Sequence, residues 1–210
     1  MSDLALYKKN TLHFEQGSPE WFQIRLGKVT ASRFSDVLAK GSGATRKSYM
    51  YQIIAERLSV EVQESFTNAA MQRGIELEPK AREYYENKNL QVVKQVGFVV
   101  RDDWTGVSPD GFVGDDGLIE IKCPNSTTHI GYIIRNVFPS TYKAQVQGQL
   151  WVTDRQWCDF VSYDPRIPQN PMFTVRVERD EEYIKELQTA ITIFIAETQM
   201  LIKKITGTPF

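Results

Sequence analysis

Along the chain the apolar positions change period. Up to residue 89 they recur at helical spacing. "SPEWFQIRLG" offers Ser18 as an N-cap with Pro19 in the first turn, and "TASRFSDVLA" repeats the design with Thr30 as cap. "SYMYQIIAERLS" predicts an amphipathic helix, and "NAAMQRGIELEPKAREYYENKN" a second one around Pro79. Between these pairs "KGSGATRKS", at 40 to 48, predicts a flexible loop. The period then shortens. "QVVKQVGFVV" is rich in β-branched residues and "GLIEIKCP" alternates after the turn-rich "PDGFVGDDG", which predicts a hairpin or meander. "TYKAQVQGQLWVT" returns to helical spacing. The strands "QWCDFVSYD" and "MFTVRVERD" follow, separated by "PRIPQNP". From Asp180 onward Tyr183, Ile184, Leu187, Ile191, Phe194, Ile195, Leu201 and Ile202 form one stripe of a long closing helix. Helices, three strands, a helix, two strands and a helix predict an α/β fold with a mixed central β-sheet flanked by helices.

Composition narrows the classes. With 210 residues, 41% hydrophobic and 24% charged, the chain is expected to fold as a single domain over 1–210. No apolar run approaches the ~18 residues of a membrane span, and "MSDLALYKKNTLHFEQ" lacks the pattern of a secretory leader, so the expectation is a cytoplasmic protein with no membrane. Cys123 and Cys158 are too few for a disulfide framework or a cysteine zinc site, and His13 and His129 are far apart, so any metal must use carboxylates. Asn125-Ser126-Thr127 matches a glycosylation acceptor that no secretory signal supports. A formal net charge of -1 gives no global pull toward nucleic acid, which leaves local clusters to supply one.

The chemistry concentrates in "VSPDGFVGDDGLIEIKCP". Asp110 sits in a Pro-Asp-Gly turn; on the next strand, period two puts Glu120 and Lys122 on one face and Ile119 and Ile121 on the other. The isoleucines are expected in the core and the charged pair in a cleft. Two carboxylates beside a lysine suit a hard cation such as Mg²⁺, which prefers oxygen ligands and keeps waters for phosphate oxygens. The lysine can orient or deprotonate the attacking water, or balance transition-state charge. On spacing alone, D-x(9)-E-x-K fits a turn aspartate and a solvated cross-face pair as well as a catalytic set.

The wider context separates the two. "WFQIRLGKVTASRFSDVLAK", "RGIELEPKAREYYE", "SPDG" with "EIKCP", "AQVQGQLWVT" and "FVSYDPR" follow one another from about residue 20 to about residue 180. In this order they resemble the PD-(D/E)xK nuclease core, specifically the lambda exonuclease (YqaJ-like viral recombinase) branch. The resemblance implies a restriction-endonuclease-like core and a Mg²⁺-dependent exonuclease. Such an enzyme digests linear double-stranded DNA from the 5′ end to 5′-mononucleotides and leaves a 3′ single strand for annealing recombination.

Residue by residue, the resemblance implies that Asp110 and Glu120 are metal ligands, with the backbone carbonyl of Ile121 and the helical Glu78 completing a two-ion site. Lys122 is the catalytic lysine and Gln145 the motif glutamine of the site, with Gln147 or Gln149 as its alternatives. Arg25 and Ser32 match a pocket for a 5′-terminal phosphate, where a guanidinium and a hydroxyl near a helix N-terminus both suit the anion. Met71 stands at the position of an apolar wedge between terminal bases, and Tyr142 at a packing position. The segment between Asp102 and Asp110 is shorter than the family pattern, which counts against Asp102 or Asp103 as a further acidic participant.

The same resemblance implies a homotrimeric ring around DNA, with Arg33, Lys40, Arg46 and Lys47 as channel candidates. It further implies a single-strand annealing protein as partner. Mn²⁺ is a possible substitute for Mg²⁺. Two other functions remain open at this point: a structure-specific or restriction-type endonuclease on the same core, and a catalytically silent DNA-binding module.

Overall fold

A computed structural model describes residues 11–39, 43–61 and 69–207, with side chains in the last segment described from 72. Ser18 caps as predicted, its Oγ accepting from Trp21 N at 3.2 Å to start α1 (Pro19–Arg25), which lies between the short strands β1 (Thr11–Leu12) and β2 (Val29–Thr30). Thr30 does not cap. A 3₁₀ turn, Ala31–Arg33, precedes α2 (Phe34–Leu38), and in that tighter turn the Thr30 hydroxyl faces Ser32 Oγ at 3.5 Å instead of a helical N–H. The expected loop is shorter than predicted, because Ala44 already begins α3 (Ala44–Ser59); residues 40–42 lie outside the described ones. Next comes α4 (Ala69–Asn89), which carries Pro79 in its interior.

The run "QVVKQVGFVV" is two strands, β3 (Val93–Lys94) and β4 (Phe98–Val100), and they belong to different sheets. They are followed by β5 (Thr105–Val107), β6 (Gly111–Val113), β7 (Gly117–Lys122), α5 (Ser126–Arg135), α6 (Lys143–Thr153), β8 (Trp157–Tyr163), β9 (Met172–Glu178) and α7 (Glu181–Thr206). A five-stranded mixed sheet runs β3-β6-β7-β8-β9, with β7 central, antiparallel to β6 and parallel to β8. A smaller four-stranded sheet runs β1-β4-β5-β2. The mixed α/β fold flanked by helices thus holds, with a second sheet that periodicity did not separate.

Both faces of β7 are covered. Ile119 and Ile121 pack with Ala81 and Tyr85 of α4 and Val161 of β8, while Leu118 joins Leu150 of α6, Leu187 of α7 and Phe34 of α2. In α6, nine of its 11 residues are buried, and a Cβ on Gly148 would stand 2.3 Å from the Phe34 ring, so only glycine lets α2 approach. One polar hub ties three elements together: the fully buried Asp164, just after β8, accepts from Arg73 of α4, from Arg166 and from Ser126 at the start of α5. No helix among the described residues is long and apolar enough to cross a membrane.

Candidate active site

Strand β7 presents Glu120 toward α6, where the helical spacing of Gln145 and Gln149 brings both amides onto it. Gln145 Nε2 donates to Glu120 Oε1 at 2.6 Å and Gln149 Nε2 to Oε2 at 2.7 Å, while Lys122 Nζ pairs with Oε1 at 2.5 Å. Glu120 is 1% exposed, so the expected open cleft face is instead a buried carboxylate held by three donors. Opposing effects act on Lys122: burial disfavours its charge, but Glu120 and Asp110 outweigh burial and hold the ammonium above its ordinary pKa. Its Nζ lies 5.2 Å from the centre of the Tyr142 ring, and that ring packs on Phe160, the packing role foreseen for it.

Asp110 is fixed from the same strand, its Oδ2 accepting from Ile121 N at 2.6 Å. Burial and then the charges of Glu120 and Glu78 push its carboxyl well above the usual range. Glu78, on α4, is also raised, by burial and then by the charge of Glu120, against the opposing pull of Arg82, whose Nη2 donates to its Oε1 at 2.5 Å. Glu76, two residues earlier, bonds Gln72 on the surface. Burial pushes the Cys123 thiol up to about 12, so the residue next to Lys122 is not a thiolate nucleophile.

Asp110, Glu120 and Glu78 interact, yet no three metal-ligating side chains among the described residues surround one point. Each carboxylate is turned onto a protein donor. The set nevertheless fits a divalent cation: the donors are hard oxygens, and their mutual repulsion in a buried place is what such an ion relieves.

Asp110 and Glu78 form part of the wall of a cavity of about 1370 Å³ that also includes Arg25, Ser32 and Arg33. Arg25 stacks on Trp21, 3.9 Å from the ring centre, and donates to Ser108 Oγ at 3.1 Å, to which Trp21 Nε1 also donates. Among the described residues no carboxylate pairs with it. Burial lowers its pKa to about 10, against the weaker opposing influence of Tyr49 and Glu56. Gly27, at φ +65°, turns the chain after α1, and its N–H is anchored at 2.9 Å on the buried Glu56.

Sequence reasoning missed Gln149 as an additional partner of Glu120, although the interval of four from Gln145 is the helical signal for it. Gln147, the other alternative, is structural: it bonds Glu178 O and Asp180 N. Ser108 was also missed, inside the quoted "SPDG" motif. Asp102 is a turn residue that accepts from Trp104 N and Thr105 N, and the Asp103 carbonyl accepts from Lys28 and Arg57. Of the channel candidates, Arg33 is bound to Asp36 and Gln52 and Arg46 to Glu197, while Lys47 is exposed. Lys40 and the Met71 side chain lie outside the described residues.

The mixed sheet, the acidic turn and the Glu-x-Lys strand together define a nuclease of the PD-(D/E)xK type. Residues 20–156 match the YqaJ-like viral recombinase domain, and the chain belongs to that family. An alkaline exonuclease from Laribacter hongkongensis, LHK-Exo, is 47% identical, with a TM-score of 0.85 over 90% of this chain and 97% of its own. Its complex with dAMP matches equally, at 46% identity and the same TM-score and coverage. A phage related exonuclease from Haemophilus somnus 129PT shares the fold, with a TM-score of 0.66 at 18% identity, over 85% of this chain and 96% of its own. In Escherichia coli K12, ExoD is 33% identical over 66 residues, 31% of this chain and 76% of ExoD.

Proposed function

We propose that this nuclease is a Mg²⁺-dependent exonuclease. It degrades one strand of linear double-stranded DNA from the 5′ end, releases 5′-mononucleotides and leaves a 3′ single-stranded overhang. One observation carries the reading: the Arg25 guanidinium, with no carboxylate in ion-pair contact among the described residues, shares a cavity with Asp110 and Glu78. A guanidinium that among the described residues makes no carboxylate ion pair suits a terminal phosphate at one part of the wall, and a crowded set of carboxylates at another suits a divalent ion. A relative that crystallises with dAMP supports mononucleotides as products.

In this scheme Asp110, Glu120, Glu78 and the Ile121 carbonyl hold Mg²⁺, which when bound activates water and stabilises charge on the phosphate and the leaving oxygen. Lys122 keeps its proton in the resting site and supplies positive charge next to the scissile phosphate, where it orients the attacking water. Gln145 and Gln149 hold Glu120 in one orientation. Arg25, bonded to Ser108 and sharing the cavity wall with Ser32, retains the new 5′-phosphate after each cleavage and so sets the next phosphodiester against the carboxylates. A cytoplasmic location, assembly as a ring of three and hand-over of the overhang to a single-strand annealing protein follow the family resemblance.

The test is digestion of a linear duplex labelled separately at each end of both strands, with closed circles and Lys122→Ala as controls. Loss of 5′ label alone, intact circles and an inactive, DNA-binding Lys122→Ala are expected. Arg25→Ala is expected to lose the preference for phosphorylated over hydroxyl 5′ ends. Cut circles would overturn the exonuclease reading, and equal wild-type rates on both kinds of end would overturn the phosphate pocket.

A further inference from the structure

Arg82 is the cavity-wall cation that touches the acidic site directly. It lies one helical turn after Glu78 on α4, its side chain is 11% exposed, and its Nη2 bonds Glu78 Oε1 at 2.5 Å. With the Gln95 amide oxygen turned toward it, Nη1 donates there at 2.6 Å and Nη2 at 3.2 Å. Its Nε is buried and, among the described residues, has no acceptor. The Nε of Arg73 and of Arg155 is in the same state, so what distinguishes Arg82 is its bond to a carboxylate of the acidic site. The three carboxylates carry unequal support: Glu120 has Lys122 and two amides, Asp110 has one backbone N–H, and the cation bonded to Glu78 is Arg82.

We propose that Arg82 is a positioning residue that competes with the divalent cation for Glu78, turning this carboxylate away from the metal site until the ion displaces the guanidinium. This rests on the proposed Mg²⁺ site and adds to it a built-in brake on metal loading. The order of charges makes the exchange feasible. A divalent ion replaces a single positive charge on Glu78 and simultaneously relieves Asp110 and Glu120, so the carboxylates gain more from the ion than they lose with the arginine. The displaced guanidinium keeps Gln95 and stays in the cavity wall.

The measurement is Mg²⁺ binding by calorimetry on the DNA-free protein, which requires no turnover. Loss of a merely structural arginine would weaken metal binding by the protein, whereas loss of a competitor would tighten it. Arg82→Ala is therefore expected to lower the Mg²⁺ dissociation constant by about fivefold to tenfold, the range of one charge-assisted hydrogen bond discounted for its partly exposed acceptor. Arg82→Lys, which keeps the charge, is expected to return the constant toward the wild-type value. In a Glu78→Gln background the same Arg82→Ala change is expected to have no effect on binding. Unchanged or weaker binding in a folded Arg82→Ala protein overturns the proposal, as does an equal gain in the Glu78→Gln background, which would mark a diffuse effect of net charge. A wild-type protein that binds no Mg²⁺ would overturn the metal site itself, and the proposal with it.

Discussion

Asp164→Asn keeps the shape of the side chain and removes its charge. The carboxylate is 0% exposed and accepts from Arg73 Nη2, Arg166 Nε and Arg166 Nη2, each at 2.9 Å, from Arg166 N at 3.1 Å and from Ser126 Oγ at 2.6 Å. Burial works to raise this carboxyl, but the bonds from Arg166 and Ser126 prevail and hold it far below the usual range. Stripping one partner from a buried ion pair costs about 3–5 kcal/mol. Arg166 is 51% exposed and Arg73 26%, so water solvates part of both guanidiniums. The expected loss is therefore about 2–3 kcal/mol. For a chain of this size that is a fall in Tm of about 4–12 °C.

The assay is calorimetric melting beside urea titration, with Arg166→Ala as a control that should lose less because the half-exposed guanidinium gives up little on its own and the buried carboxylate keeps Arg73 and Ser126. Nuclease rate at limiting Mg²⁺, measured where both variants are folded, should also fall more for Asp164→Asn, since Arg73 belongs to the helix that carries Glu78. A loss below about 0.5 kcal/mol, the size of an ordinary surface change, would refute the reasoning.

Two further outcomes are expected. Gln149→Leu leaves Glu120 Oε2 without its amide donor at 2.7 Å in a fully buried place, so kcat should fall about tenfold or more with DNA affinity kept; an unchanged kcat in steady-state digestion would show that the amide does not hold the carboxylate. The metal-free protein should be most stable at weakly acid pH. Asp164, depressed when folded, contributes stability above its unfolded pKa that is lost as pH falls toward its folded value. Asp110, raised when folded, contributes stability below its unfolded pKa that is lost as pH rises through its folded value. In chelator, melting across pH should show Asp110→Asn flattening the upper side only; a variant curve parallel to wild type would refute this.

Much of this was legible because it is local. The cap at Ser18, the stripe of α7 and the alternation of β7 rest on spacings of a few residues, and all three are present in the structure. The alternation told which side chains share a face but not what covers that face. Glu120 was expected in a cleft, and α6 buries it instead. Helix α5 escaped notice because "STTHIGYIIR" is rich in β-branched residues and its signal lay in Asn125, read only as a sugar acceptor. The Asn125 side chain accepts from Thr128 N at 2.9 Å and starts the helix. The second sheet was illegible for another reason. Its strands are two or three residues long, too short for a period, and β2 pairs with β5 across some 75 positions of chain.

The burial of α6 has an evolutionary consequence. The glutamines that hold Glu120 sit on a helix whose other side chains are nearly all core, so drift there is penalised twice, in folding and in chemistry. The Arg25 wall is built differently, from a seven-residue helix with no buried residue and a three-residue turn. Selection can reshape that wall with little loss of stability. Descendants of this scaffold should therefore diverge first in which DNA ends they accept and last in how they cut them.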